Sequence, residues 1–207
     1  MISMVVYIIF GMMGFLILMS LVWRFSKPHP CPVWLSWLVE FDNPFTRANR
    51  SAVIVENLNL QPGMKVLDAG CGPGRLTIPV AQKVGPQGEV VAMDIQLGML
   101  DLVKKKAVNI SNIQYLNAGL GEGKLSHNQF DRALLITVLG EIPDQGSALR
   151  EIFDALKPSG MLSITETVFD PHFQKKEKVI PLTHEIGFKV KSIIGNRLAY
   201  TLLLEKI

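Results

Sequence analysis

The chain opens on an unbroken apolar stretch. From Met4 to Trp23 no charged residue interrupts it, and about 20 such residues span the hydrocarbon core of a bilayer as one helix. Pro28-His29-Pro30-Cys31-Pro32 then breaks any helix, because proline lacks the N–H and restricts its neighbour. Trp34, Leu35, Trp37, Leu38 and Phe41 follow on one helical face. Two readings of that face stay open: a short helix lying on a membrane, where tryptophan favours the headgroup zone, or a helix packed on the protein's own sheet. A helix is expected over roughly Asn49–Asn59, and Gln61-Pro62-Gly63 turns the chain into a first strand through Val66 and Leu67. From there helical and extended patterns succeed one another. A helix is predicted over Arg75–Val84 and a strand over Glu89–Asp94. Met99, Leu100, Val103 and Ala107 mark the next helix, with Lys104, Lys105 and Lys106 towards solvent. Strands are predicted over Asn112–Asn117 and Phe130–Thr137, the second nearly all apolar, as a strand covered on both faces would be. Asp144 opens a helix with Leu149, Ile152, Phe153 and Leu156 on one side. A fifth strand, Met161–Glu166, a helix from about Lys175 to Ile186, and a hairpin of Phe188–Ile194 and Arg197–Leu204 around Gly195-Asn196 complete the chain.

Composition changes this picture only at the N-terminus. The 207 residues leave room for one domain with a sizeable core. The mean hydropathy of +0.28 is high for a soluble domain, and most of the excess lies in the first apolar run. A cleaved signal peptide would carry basic residues before that run; here Arg24 and Lys27 follow it. The expectation is a membrane anchor over residues 1–27, an interfacial segment over 28–48 and a catalytic domain over 49–207. Basic residues on the C-terminal side of the run put the domain in the cytoplasm, as a single-pass protein of the cell membrane. A net charge of +3, with lysines scattered among acids, gives no case for nucleic acid. Two cysteines, Cys31 and Cys71, make no disulfide framework. Cys71 reads as a packing thiol, and Cys31 as a plain free thiol or an acylation site near the anchor. No group of His, Cys or carboxylates has metal-ligand spacing, so no metal is expected.

The densest chemistry lies in Lys65–Gly74, Lys-Val-Leu-Asp-Ala-Gly-Cys-Gly-Pro-Gly. Strand, glycine turn and helix bring a backbone close to a ligand at a helix N-terminus. A dinucleotide fingerprint needs Gly or Ala at the third glycine position of G-x-G-x-x-G; counted from Gly70, that position is Arg75. The order Asp-x-G-x-G-x-G instead resembles motif I of class I S-adenosylmethionine-dependent methyltransferases, and Leu156-Lys157-Pro158-Ser159-Gly160 is similar to that family's Leu-Lys-Pro-Gly-Gly turn. The resemblance covers roughly Asn43–Ile207. It implies a seven-stranded Rossmann-like α/β sheet with a C-terminal antiparallel hairpin, here preceded by one transmembrane helix.

The resemblance also implies S-adenosylmethionine as cofactor, along Asp68, Gly70, Cys71, Gly72 and Gly74, with Asp94 and Ile95 at its ribose, Gly119 and Leu120 at its adenine, and Thr137 near the methyl donor. A carboxylate suits the ribose because it accepts two hydrogen bonds from a vicinal diol. The family frequently has an acid where this chain has Gly119; backbone groups or Glu122 would then serve adenine. Arg47 is a candidate for the cofactor carboxylate. Methyl transfer needs alignment above all, and a base only if the acceptor loses a proton; Glu141, Glu166 and His172 are the candidates. The expected activity is methyl transfer to a membrane-associated or hydrophobic acceptor: a lipid, a quinone-like compound or a small hydrophobic molecule. The alternative is a membrane module that binds S-adenosylmethionine or S-adenosylhomocysteine without transfer. The short link after the fifth strand suggests an open crevice, or one roofed by the N-terminal segment.

Overall fold

The computed structural model describes residues 29–42 and 45–207, with Gly11 and Gly14. Among the described residues no helix is long and apolar enough to cross a membrane. The expected anchor, 4–23, lies outside them, apart from those two glycines.

A single sheet of seven strands runs β3-β2-β1-β4-β5-β7-β6: β1 Lys65–Ala69, β2 Glu89–Asp94, β3 Ile113–Asn117, β4 Phe130–Ile136, β5 Leu156–Thr167, β6 Phe188–Gly195 and β7 Ala199–Lys206. The first five are parallel, and β7 runs antiparallel between β5 and β6. The seven-stranded sheet with its terminal hairpin therefore stands as expected.

Alternation of side chains builds two cores. Val66, Val90, Ala92 and Leu134 face one side, under helices α2 (Ser51–Asn57), α3 (Thr77–Val84) and α4 (Leu97–Lys106). Leu67, Val91, Met93 and Leu135 face the other, under α5 (Gln145–Ala155) and α6 (Lys176–Ile186). Strands buried on both faces must be apolar at every position, which is why their sequences read as continuous runs. The connection from β3 to β4, residues 118–129, carries no helix; Leu120 and Leu125 pack on the second core in its stead.

Several boundaries differ from the sequence reading, each for a local reason. The first crossover helix starts at Thr77 rather than Arg75, because Arg75 is engaged elsewhere. The fifth strand begins at Leu156, where Phe130 pairs with it before a register shift. The last hairpin is not closed by Gly-Asn alone. Its turn spans 196–198, and the Asn196 side chain accepts from the N–H groups of Leu198 at 2.8 Å and Ala199 at 3.3 Å, an Asx-type closure. Asp144 does cap α5, accepting from Ser147 N–H at 3.0 Å.

Upstream of the sheet, a short 3₁₀ turn, Val33–Leu35, leads into α1, Ser36–Glu40. A second 3₁₀ turn, Arg47–Asn49, is seated on the sheet: Ala48 is buried, and its carbonyl accepts from the Thr201 hydroxyl at 3.0 Å.

Candidate active site

In an open α/β sheet, ligands bind beyond the C-terminal strand ends where the strand order reverses. Here that point lies between β1, which continues to β2 on one side, and β4 on the other. The glycine turn leaves β1 in left-handed conformations, with φ of 70° at Gly70, 52° at Gly72 and 90° at Gly74. Gly70 and Gly74 are small because Val138 and Val103 press on them: an added Cβ would come within 2.5 Å of Val138 and 3.2 Å of Val103. Gly72 differs. A Cβ there would meet nothing within 4 Å, so its backbone borders open space.

That space is a cavity of about 430 Å³. Asp68, Gly70, Cys71, Gly72, Asp94, Ile95, Gly119, Leu120 and Thr137 all line it. Gly74 alone of the expected cofactor residues stands back from it, turned against α4. Asp94 is fixed by two backbone donors, Gly72 N–H on Oδ2 at 2.9 Å and Gln96 N–H on Oδ1 at 2.8 Å. Each oxygen keeps a lone pair for a further donor. Burial raises the Asp94 pKa, and the two N–H groups pull it back down. Asp68 does not reach out in the same way. It accepts from the buried Thr77 hydroxyl at 2.6 Å and is pushed up to about 6, chiefly by burial, so it braces the loop against α3. Burial raises the Cys71 thiol strongly, consistent with packing rather than nucleophilic chemistry. Thr137 carries an unusual φ of 55° for a β-branched residue. It holds this because its N–H donates to Thr165 O at 2.8 Å and its hydroxyl to Ile136 O at 2.7 Å.

At the third strand end, Gly119 makes room for an acid three residues further on. A Cβ on Gly119 would come 2.7 Å from Glu122 Oε1, and Glu122 lines the cavity. Glu122 thus stands beside Gly119 on the cavity, together with Leu120.

The three titratable candidates are not equivalent. Glu141 lines the cavity and is pushed up to about 8 by burial and by the charge of Asp170, against a hydrogen bond from the Cys31 backbone. Glu166 is 1% exposed and does not line the cavity. One of its oxygens accepts from Gln174 N–H at 3.0 Å while Oε1 has no partner, and burial holds its pKa well above the carboxylate range. His172 also stays outside the lining; its ring meets that of His29 edge-on, and its carbonyl abuts Gly140. Arg47 is exposed and does not line the cavity. Among the described residues no group of three or more His, Cys, Asp or Glu is placed to hold a metal.

Sequence reading missed how the cavity is roofed in detail. Pro30, Cys31 and Val39 lie over it, and the strap they belong to, residues 29–42, is tied down at several points. Gln96 Nε2 donates to Cys31 O at 2.8 Å, Lys106 pairs with Glu40, and Arg75 reaches Asp42 at 3.1 Å. Arg75 also donates to the backbone and side-chain oxygens of Asn49, at 2.8 and 3.0 Å. The signal was present: a lone guanidinium directly behind a glycine turn needs an acceptor.

The features that S-adenosylmethionine requires are met: an open glycine backbone, a fixed carboxylate with spare acceptor capacity one strand over, and a second acid beside the far strand end. Solved structures of similar fold include an S-adenosylmethionine-dependent methyltransferase from Aquifex aeolicus (TM-score 0.76, 18% identity, 86% of this chain and all of that one). They also include SpnF, a [4+2]-cyclase (TM-score 0.67, 16% identity, 75% and 79%). Such identities show the fold alone. Among curated proteins, the demethylmenaquinone methyltransferases of Staphylococcus epidermidis and Staphylococcus carnosus are 34% and 35% identical to it over 114 residues. These cover 55% of this chain, and the chain spans about half (47%) of their length. The model of a family described as a methyltransferase domain matches residues 60–203, from just before β1 into β7, and leaves the strap outside. On that match the chain belongs to the methyltransferase-domain family.

Proposed function

We propose that the chain methylates a quinone-like or similarly hydrophobic ring acceptor drawn from a membrane, with the catalytic domain on the cytoplasmic face and the apolar run 4–23 as its anchor. One observation carries the reading: a mostly apolar cavity that Glu141 lines together with the glycine loop and with Pro30 and Cys31, the backbone of Cys31 hydrogen-bonding to it. The curated relatives, by their name, act on demethylmenaquinone, which agrees with a mostly apolar pocket that has Glu141 among its lining acids.

When bound, S-adenosylmethionine supplies an electrophilic methyl group on sulfur. The chain's residues supply the rest. Gly72 and Asp94 hold the nucleoside side, Glu122 faces the adenine end, and Thr137 stands between donor and acceptor. A reduced ring carries hydroxyl groups, and Glu141 takes the proton from one of them, leaving an electron-rich oxygen or ring carbon to attack. With the cofactor bound, the methyl group would pass to that atom while its bonding pair to sulfur stays on sulfur; a ring carbon so methylated would then give up its own hydrogen as a proton to the ring oxygen, which restores the ring. The first proton ends on Glu141 and passes to solvent. The anchor raises the local concentration of a membrane acceptor without any new contact.

The test is transfer of labelled methyl from S-adenosylmethionine to demethylmenaquinone kept reduced, by detergent-solubilised full chain. Label in the quinone is the expected result, with Glu141→Gln retaining cofactor binding and losing about 10²-fold or more in kcat. Cofactor binding with no label transferred to the quinone or to any component of a membrane extract would make the chain a binding module. The anchor is tested separately, by extraction of the full chain from vesicles with alkaline carbonate.

A further inference from the structure

The strap has two faces with different chemistry. The inner face is spoken for by the cavity and by Gln96, Lys106 and Arg75. Val33 also packs close, since an added Cβ on Gly98 would sit 3.1 Å from it. The outer face carries Trp34, Trp37, Leu38 and Phe41, spaced i, i+3, i+4, i+7, and these are 75%, 54%, 52% and 70% exposed. A large apolar side chain left in water on its own is ordinary; four on one continuous face, two of them tryptophan, mark a contact surface.

We propose that this face sits in the headgroup zone of a lipid bilayer, so that the cavity opens onto the membrane from which its acceptor comes. The proposal rests on the membrane reading above. Three observations choose lipid over another partner. The apolar run ends at Trp23, six residues before the strap's first described residue, His29. Even fully extended, that span reaches only about 20 Å, so a bilayer holding the run keeps the strap near its surface. The residue types suit an interface that is apolar below and wet above, where tryptophan concentrates. At the end of α4 beside the strap, Lys104 and Lys106 are paired with Asp101 and Glu40, and the exposed Lys105 between them is the charge that suits anionic headgroups. The strap also lies outside the stretch matched by the family, 60–203.

The chain holds three tryptophans, Trp23, Trp34 and Trp37. In full-length Trp23→Phe the only indoles are therefore on the strap. That variant, reconstituted in vesicles of phosphatidylglycerol and phosphatidylcholine, is compared with and without lipids brominated near the headgroup. The expected result is a blue-shifted emission that brominated lipid cuts by roughly half or more, as for indoles at the interface. Unquenched emission at the wavelength of exposed tryptophan overturns the proposal. So does emission that is blue-shifted yet unquenched and dependent on protein concentration, which would mean that a second copy covers the face. Carbonate extraction of the same sample separates the two readings. Protein that is extracted but was quenched keeps the strap in the bilayer surface and removes the anchor. Protein that resists extraction and is unquenched keeps the anchor and removes the strap. Protein that is neither retained nor quenched removes both.

Discussion

Asp94 and Glu141 are both carboxylates in one cavity, yet their surroundings fit them for opposite tasks. Burial raises the Asp94 pKa, and two backbone N–H groups that favour its charged form offset part of that rise. Asp94→Ala removes the acceptor for two hydroxyls and leaves those N–H groups without it, so calorimetry is expected to show cofactor affinity weaker by about 1.5–3 kcal/mol, the range for hydrogen bonds to a charged group. Unchanged affinity would mean that the ribose is gripped elsewhere. Glu141 has no such donors on both oxygens, and burial keeps it protonated to about pH 8. A base must be ionised to act, so kcat/KM is expected to climb with pH up to about 8, and Glu141→Gln to remove that limb along with most of the rate. A profile flat from pH 6 to 9 in the wild-type chain would take Glu141 out of the chemistry. The resemblance already implies Asp94 at the ribose, whereas Glu141 is one of three candidate bases that only the structure sorts. Both residues precede or follow strands as many surface acids do, and only the register of β1, β2 and β4 puts them on one cavity.

At the scale of elements, two local conflicts point to measurable effects. Near the start of β5, Ser159 takes a left-handed φ of 62° where the resembling motif has glycine. A side chain there costs about 1 kcal/mol against glycine, so Ser159→Gly is expected to raise the denaturant midpoint with an unchanged slope. The second conflict is Arg75, whose charge burial disfavours and whose acceptors on Asp42 and Asn49 restore. Arg75→Ala leaves the buried Asn49 oxygens unpaired and is expected to cost about 1–3 kcal/mol. It should also speed proteolysis within residues 29–50 before the sheet is cut. If cleavage there is no faster, the strap does not depend on this tie. The strands and helices were readable because each is amphipathic or doubly buried along its own length. The strap's packing was not, because an aromatic face gives the same spacing whether it meets a sheet or a membrane.

Across the whole molecule, buried acids gather beneath the roof. Burial raises Glu141 to about 8, Asp170 to about 6 and Glu166 well above its ordinary value, and Asp68 in β1 to about 6. Each binds its proton more tightly folded than unfolded. The stability they contribute is therefore full below the ordinary carboxyl range and lost as pH rises through about 6 to 8. Asp131 is shifted the other way, with Lys157 and Lys65 N–H as its partners, and its contribution is lost only at acid pH, outside that window. The melting temperature is expected to fall from pH 6 to 8, with Glu141→Gln flattening the upper part. A melting temperature that rises over this interval would contradict the burial of these groups. The sequence by itself determined the succession of strands and helices, the glycine turn and the kind of cofactor. Those rest on periodicity and on backbone conformations that only certain residues adopt, and both are local properties. The tertiary structure decided which acid faces the cavity, that Glu122 fills the place beside Gly119, and that Arg75 straps the N-terminal segment over the opening. Those depend on which strand ends lie side by side, and neighbours across a sheet leave no periodic trace along the chain.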